Sequence, residues 1–188
     1  MSVHAVALSS THVFSKAPVG SITLVAGLGV EGDCHNGATV QHRSRLHIRP
    51  APANLRQVHL IPLEILSECG VQPAEIGENV TTKGVDLLGL GTGTKLHFLP
   101  AGTITSSSLL TQEPPHAIVE LQGVRNPCPQ IDKFRPGLKD QFIVRDADRA
   151  IIGRRAGVMG TVVVGGQIKA GMRIVVESSE VFVPLACV

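Results

Sequence analysis

The chain has 188 residues, a formal net charge of +2 at pH 7, 43% hydrophobic residues and 17% charged residues. This length is typical of a single domain whose core is large enough to fold without disulfides, and the composition excludes bulk disorder. The small net charge and the absence of Trp and Tyr argue against a nucleic-acid partner, because such partners are held by clustered positive charge and aromatic stacking.

The first residues do not have the features of a signal peptide. The apolar run at residues 3–8 has no basic segment before it and is cut short by polar residues 9–11. The sequence contains no apolar stretch of the length needed to span a membrane. Its cysteines, Cys34, Cys69, Cys128 and Cys187, include no C-x-x-C pair. These features predict a reduced, cytoplasmic protein with no membrane contact and no disulfide scaffold.

Short runs of alternating or wholly apolar residues predict a series of strands separated by Gly- and Pro-rich turns. In chain order these strands cover residues 3–14, 21–26, 57–61, part of 79–90, 95–99, 117–124, 157–164 and 172–177. Pro62 and Gly70 bound a predicted helix over residues 63–69, and short helices are expected within residues 130–149. The Ser- and Thr-rich residues 102–115 are interpreted as a loop insertion. Together these elements predict a mostly-β (α+β) barrel with a few short peripheral helices.

A glycine-rich loop over residues 27–37 follows the second predicted strand. Residues 27–32 match the G-x-G-x-x-G pattern of dinucleotide-binding loops. That mechanism requires a helix to begin at the loop, yet the segment ends in the turn dipeptide Asn36-Gly37. The acidic ribose ligand expected about 20 residues later is also missing. We therefore interpret this loop as a tight corner of the barrel.

Several metal-ligating side chains lie in and after this loop. They are Asp33, Cys34, His35, His42, His47 and His59. Imidazole, thiolate and carboxylate groups suit zinc or iron, but the spacings fit no common zinc motif. We favour polar groups that order a loop and line a pocket over a bound zinc ion.

Cys128 is the strongest single candidate for chemistry. It lies between Pro127 and Pro129, directly after a predicted strand, and prolines restrict both their own backbone and that of the preceding residue. Arg125 is close enough in sequence to favour the thiolate, which attacks electrophiles and binds soft metals. The alternative, a buried and inert core cysteine, better describes Cys69 in the apolar stripe of the predicted helix.

Two other groups of polar residues have both a functional and an ordinary interpretation. The arginines Arg43, Arg45, Arg49, Arg56, Arg154 and Arg155 form either a solvated surface or a pocket for phosphate or another small anion. The pair Glu78-Asn79 provides either turn chemistry or a carboxylate and an amide beside a ligand.

Taken together, these segments resemble the small stand-alone members of the MOSC domain family, named for the C-terminal domain of molybdenum cofactor sulfurase. The resemblance runs from about residue 27 to residue 176. It is carried by the motifs at residues 29–37 (GVEGDCHNG), 56–60 (RQVHL), 76–80 (IGENV), 123–128 (GVRNPC), 157–159 (GVM) and 166–171 (GQIKAG), in that order, with Glu64 on the intervening helix. Each motif is short, but their shared order makes the resemblance specific.

The resemblance implies one MOSC domain over residues 1–188, with a barrel core at about residues 20–177 and a pocket for the molybdenum cofactor. It implies that Cys128 is the catalytic residue and the metal ligand. The other implied cofactor-binding residues are Asp33, His35, Arg56, His59, Glu78, Asn79, Arg125 and Asn126. A chain of this length has no room for the pyridoxal-phosphate domain of fused relatives, so no pyridoxal phosphate is expected.

Three functions follow from the resemblance. The first is a molybdenum-dependent oxidoreductase that reduces N-hydroxylated or N-oxygenated small molecules and depends on an electron-donor protein. The second is a sulfur carrier in which Cys128 takes a persulfide from a sulfur donor and passes it on. The third is a non-catalytic module that binds or stores the cofactor. The sequence leaves open the choice between enzyme and carrier, the substrate and the oligomeric state.

Overall fold

The structure, a computed structural model, describes residues 1–102 and 116–188. The predicted loop insertion at residues 102–115 lies outside this part from residue 103 onward.

Short strands dominate the described part of the chain. They are β1 (Ser2–Leu8), β2 (Ala17–Val19), β3 (Ser21–Val25), β4 (Gly29–Val30), β5 (Val58–Pro62), β6 (Val80–Lys83), β7 (Lys95–Leu99), β8 (Ala117–Val124), β9 (Ile143–Arg145), β10 (Ile151–Arg154), β11 (Val158–Val164), β12 (Gly166–Lys169) and β13 (Arg173–Glu177). The α-helices are α1 (Leu63–Glu68), α2 (Pro129–Phe134) and α3 (Leu138–Gln141), and 3₁₀ turns cover Arg43–Arg45 and Leu87–Gly89.

The main sheet closes into a barrel. Its strand order is β13-β7-β8-β11-β5-β6-β1, and β1 pairs back onto β13 through Ser2 and Arg173. β2 extends the sheet beside β1, and β5 and β6 form a parallel pair. Closure removes the exposed sheet edges that would otherwise bind other chains. The mostly-β barrel predicted from the sequence is confirmed.

The barrel interior is filled by the inward-facing side chains of these strands. β8 shows the alternation directly, since every second residue from Ala117 to Gly123 is buried. Phe98, Leu60 and Leu121 are among the largest fully buried side chains. A second apolar cluster, which includes Leu66, Ile131 and Phe142, lies under the three helices. This second cluster fixes α2 against the barrel.

The glycine-rich loop forms a corner of the fold, as predicted. β4 pairs with β3, and no helix begins within the glycine-rich loop or directly after it. Gly29 has a φ of 114°, and a Cβ at this position would lie 2.8 Å from the backbone oxygen of Gln57. The Gln57 side chain donates to the Gly27 carbonyl at 2.8 Å and accepts from Val162 N at 2.9 Å. Glycine is therefore required here by a close approach of two backbones.

The structure differs from the predicted elements in the extent of the first strand and in several short strands. The first strand ends at Leu8 instead of continuing to residue 14, because the backbone of Ser9 turns away to bond with Asp33 and Cys34. The short helices expected within residues 130–149 are present as α2 and α3, and the β9–β10 hairpin that follows them, in which Val144 pairs with Gly153, was not predicted. Because the first strand ends at Leu8, residues 12–14 lie in a loop that reaches the cavity described next.

Candidate functional site

A cavity of about 520 Å³ opens between the first loop, the glycine-rich corner and the start of α2. Its cationic lining residues are Lys16, Arg43, Arg45, Arg56, Arg125 and Lys133, and its imidazoles are His12, His35, His42 and His59. Among the described residues, no Asp or Glu side chain lines it, and Cys128 contributes the one thiol. Its volume is typical of small-molecule sites, and its charge suits an anionic ligand.

The path of the chain after β8 fixes the position of Cys128. Arg125 N donates to the Gly157 carbonyl at 2.9 Å, which anchors the segment to the start of β11. Cys128 then begins α2, because its carbonyl accepts from Ile131 N at 3.1 Å and Pro129 occupies the first turn. The half-buried side chain packs against the apolar cluster under the helices and also lines the cavity. The thiol is therefore held in a fixed direction and reachable from the cavity.

Arg125 places a buried cation beside this sulfur. Its guanidinium Nη1 donates to the Ile76 carbonyl at 2.7 Å. Burial lowers the pKa of Arg125, while its hydrogen bond to Cys128 and the charge of Glu78 oppose that change. The arginine and the cysteine predicted from the same short motif thus meet on one wall of the cavity.

Arg56 is a second cation without a compensating carboxylate. Its Nε is buried and has no hydrogen-bond partner among the described residues. Burial, followed by the charges of Arg125 and Arg45, lowers its pKa to about 10, so the guanidinium remains charged at neutral pH. A buried unpaired cation is costly unless an anion neutralises it. This cluster is therefore suited to binding a phosphate or similar group.

Asp33 lies behind the cavity wall and holds three groups that line it. Its carboxylate accepts from Lys16 Nζ at 2.5 Å, from Asn79 Nδ2 at 3.1 Å and from His35 Nδ1 at 3.2 Å. Burial alone would raise the pKa of Asp33, but the hydrogen bond from His35 and the charge of Lys16 hold it well below its usual range. The structure therefore gives Asp33 a positioning role at one remove from the cavity.

His59 and Asn79 brace each other across the parallel strand pair. Asn79 N donates to the His59 carbonyl at 2.8 Å, and His59 N donates to Asn79 Oδ1 at 3.2 Å. The His59 ring donates from Nε2 to the Ala156 carbonyl at 2.8 Å. Burial lowers the pKa of His59 well below its usual range, so the imidazole is neutral. Both residues line the cavity as rigid, neutral wall groups.

The other two predicted residues lie behind the wall and at the rim. Glu78 is buried and does not line the cavity; its Oε1 accepts from Ala74 N at 2.5 Å and from Thr81 Oγ1 at 3.0 Å. Burial raises the pKa of Glu78. The hydrogen bonds of Glu78 order the loop that contains Ile76, whose carbonyl accepts the hydrogen bond from Arg125. Asn126 is exposed at the rim, and its Oδ1 accepts from Arg154 Nε at 3.0 Å.

The structure adds cavity residues that sequence reasoning missed. Lys16 carries no motif, and its partner Asp33 lies 17 positions away in the chain, so no local signal marked it. His12 is exposed and lines the rim. Lys133 on α2 was also missed, whereas His42 lines the cavity as one of the polar residues expected to line a pocket.

Comparison with known proteins supports the fold. No family model matches the sequence, and no curated protein matches it. The crystal structure of the YuaD protein from Bacillus subtilis matches with a TM-score of 0.68 and 24% identity, over 96% of this chain and 98% of that chain. YiiM from Escherichia coli matches with a TM-score of 0.55 and 18% identity, over 98% and 73% of the two chains. YiiM from Geobacillus stearothermophilus matches with a TM-score of 0.51 and 15% identity, over 94% and 73%.

At these identities the likeness shows the fold alone. The fold is the mostly-β barrel with short helices that the sequence predicts. None of the helices in residues 1–102 and 116–188 has the length and apolar character needed to cross a membrane.

Proposed function

We propose that this chain is a MOSC-family protein that binds the molybdenum cofactor in the basic cavity and reduces N-hydroxylated small molecules, with Cys128 as the metal ligand. One observation carries the proposal: the thiol of Cys128 lies in a cavity lined by cations, with no Asp or Glu side chain on the lining in the described part of the chain. Thiolate is a ligand for soft metals, and uncompensated arginines bind phosphate.

The residues present fit the cofactor. The buried, unpartnered Nε of Arg56 supplies a donor for the phosphate of the pterin, together with Arg45 and Lys133 on the same lining. Cys128 supplies the sulfur ligand. Neutral His59 and Asn79 form rigid walls beside them, so the cofactor would meet a preorganised site.

When bound, the molybdenum supplies the two-electron redox chemistry by which an N-hydroxyl compound gains two electrons and two protons and yields the amine and water. The chain contributes the surroundings of that reaction. Lys16, fixed by Asp33, presents nitrogen-bound protons at the cavity wall, and His35, held by the same carboxylate, lines that wall. The electrons would come from a separate donor protein, because the sequence has no motif for flavin, haem or an iron–sulfur cluster.

A sulfur carrier is the second candidate, favoured by the partial exposure of Cys128 at the start of α2. A donor could reach this sulfur, and the adjacent Arg125 would stabilise the charge of a persulfide. A cofactor-storage module would use the same cavity and show no turnover.

The proposal is tested on protein made in a host that synthesises the cofactor. Molybdenum content and reduction of an N-hydroxylated base by a chemical electron donor are measured for the wild type, Cys128→Ser and the control Cys69→Ala. Cys69 is a matched control because it is buried under α1 and does not line the cavity. We expect molybdenum and activity in the wild type and the control, and loss of both in Cys128→Ser.

Each other outcome has a definite meaning. Full metal and activity in Cys128→Ser would contradict the proposal. Metal binding without turnover indicates storage. A single added sulfur on Cys128, seen by mass spectrometry after incubation with a sulfur donor in protein free of molybdenum, indicates the carrier.

A further inference from the structure

A second cluster of metal-ligating atoms lies at the rim of the cavity, apart from Cys128. His12, Cys34 and His35 each offer one ligand atom, and these three atoms all lie within 4.8 Å of one another. They come from two loops, the one that follows β1 and the glycine-rich corner, which are joined by a hydrogen bond from Cys34 N to the Ser9 carbonyl at 2.8 Å.

The hydrogen bonds of both imidazoles leave one nitrogen of each free to bind a metal. His12 Nε2 lies 3.0 Å from the Gln41 carbonyl, which only accepts, so Nε2 carries the proton and Nδ1 carries the lone pair. His35 Nδ1 lies 3.2 Å from the ionised carboxylate of Asp33 and 3.3 Å from the Cys34 sulfur, so Nδ1 carries the proton in the metal-free protein and Nε2 carries the lone pair. Metal-binding histidines are held by carbonyl or carboxylate partners in this way.

A nearby imidazole gives an independent indication of a ligand. The ring centroid of His42 lies 4.4 Å from that of His35. Its Nδ1 is buried and has no hydrogen-bond partner among the described residues. A buried unpartnered nitrogen normally indicates a missing water, ion or ligand. His42 does not belong to the 4.8 Å group, so it is the nearest further donor rather than one of the three ligands.

We propose that His12, Cys34 and His35 bind a zinc ion, with Asp33 and Gln41 orienting the two imidazoles and the fourth coordination position open toward the cavity. One thiolate and two imidazoles with an open position form a known type of zinc donor set. With metal–ligand distances of about 2.0–2.3 Å, tetrahedral ligands lie roughly 3.5 Å apart. The three ligand atoms must therefore move together by at most roughly 1 Å, which small rotations of the exposed His12 and the part-buried Cys34 and His35 side chains can supply.

This site uses a different cysteine from the molybdenum proposal, although His12 and His35 also line the same cavity. It would clamp the loop after β1 onto the glycine-rich corner and so fix one side of the cavity rim. Cys34 then has a role in addition to its place in the sequence motif.

The test uses the full-length chain after removal of metals with a chelator. Cobalt(II) is titrated into the wild type, Cys34→Ser, His12→Ala, the matched control His4→Ala and Cys128→Ser. His4 is an exposed histidine on β1 outside the cluster. We expect the wild type to bind one cobalt ion with tetrahedral d–d absorption and a thiolate-to-cobalt charge-transfer band, and to release it to zinc.

The variants separate this site from the other cysteines. Cys34→Ser should lose the charge-transfer band, and His12→Ala should bind at least about tenfold more weakly, whereas His4→Ala and Cys128→Ser should match the wild type. Zinc should raise the thermal midpoint of the wild type but not that of Cys34→Ser. The thermal transition of Cys34→Ser itself also shows that this variant has folded. Absence of a cobalt spectrum in the wild type, or a band that disappears in Cys128→Ser and persists in Cys34→Ser, would overturn the proposal.

Discussion

Replacing Lys16 by Met tests the buried ion pair that supports the cavity wall. The Lys16 and Asp33 side chains are 4% and 2% exposed, and the Nζ–Oδ2 distance is 2.5 Å. The substitution leaves the carboxylate buried with hydrogen-bond donors from Ser9, Asn79 and His35 but without the Lys16 ammonium. Breaking a buried pair in this way costs about 3–5 kcal/mol of the free energy of unfolding, against about 0–1 kcal/mol for a surface pair.

Urea unfolding at pH 7, followed by circular dichroism, measures this cost for Lys16→Met, Asp33→Asn and the double variant. We expect the double variant to be less destabilised than the sum of the single variants by at least about 1 kcal/mol, because the second change removes the uncompensated charge. A cost below about 1 kcal/mol for Lys16→Met would refute the reasoning, since only an exposed pair behaves so.

The same pair predicts the response to acid. The pKa of Asp33 is lower in the folded protein than in the unfolded chain, so its contribution to stability is complete above about pH 4 and is lost as the pH falls below that value. In Lys16→Met the folded pKa rises toward the unfolded one. The free energy of unfolding should therefore fall less steeply below about pH 4 in the variant than in the wild type.

Three other substitutions test separate features of the account. Arg56→Gln should weaken the binding of inorganic phosphate, measured by calorimetry, by about tenfold or more. The unfolding midpoint should stay equal or rise, because Arg56 lies beside the like charge of Arg45. A lower midpoint would contradict the view that these cations lack a compensating charge. Gly29→Ala should lower the free energy of unfolding by about 2 kcal/mol or more, because Gly29 has a φ of 114° and a Cβ there would contact a backbone oxygen. Gly27 has a φ of 71° and open space around it, so Gly27→Ala should cost about 1 kcal/mol. Equal thermal midpoints for the two variants would disprove the close approach at Gly29. Burial lowers the pKa of His59 well below its usual range, so the free energy of unfolding of the wild type should fall as the pH drops below about 6.5. In urea titrations, His59→Gln should flatten this dependence on pH. An unchanged slope of the free energy of unfolding against pH would show that His59 titrates normally.

Elements with strong local patterns could be predicted from the sequence. Residues 95–99 and 117–124 form strands with the predicted bounds, and the helix between Pro62 and Gly70 is present as α1. β2, β4 and the β9–β10 hairpin were missed, because strands of two to four residues are too short to show a clear periodicity.

The residues of the candidate site also fall into those that a local motif predicted and those that it did not. Cys128 and Arg125 share one proline-flanked motif, and the cavity brings them together. Lys16 and His12 could not be found, because only the turn of the chain at Ser9 brings their loop onto the glycine-rich corner. Local sequence therefore identifies single reactive groups, whereas the walls that hold them depend on contacts between distant segments.

X-ray absorption at the molybdenum edge tests the central claim most directly, since it counts the sulfur atoms bound to the metal. We predict that protein loaded with the cofactor has one more sulfur neighbour in the wild type and in Cys69→Ala than the cofactor itself supplies, and that Cys128→Ser lacks it. An identical sulfur shell in Cys128→Ser and the wild type would contradict the assignment of Cys128 as the metal ligand.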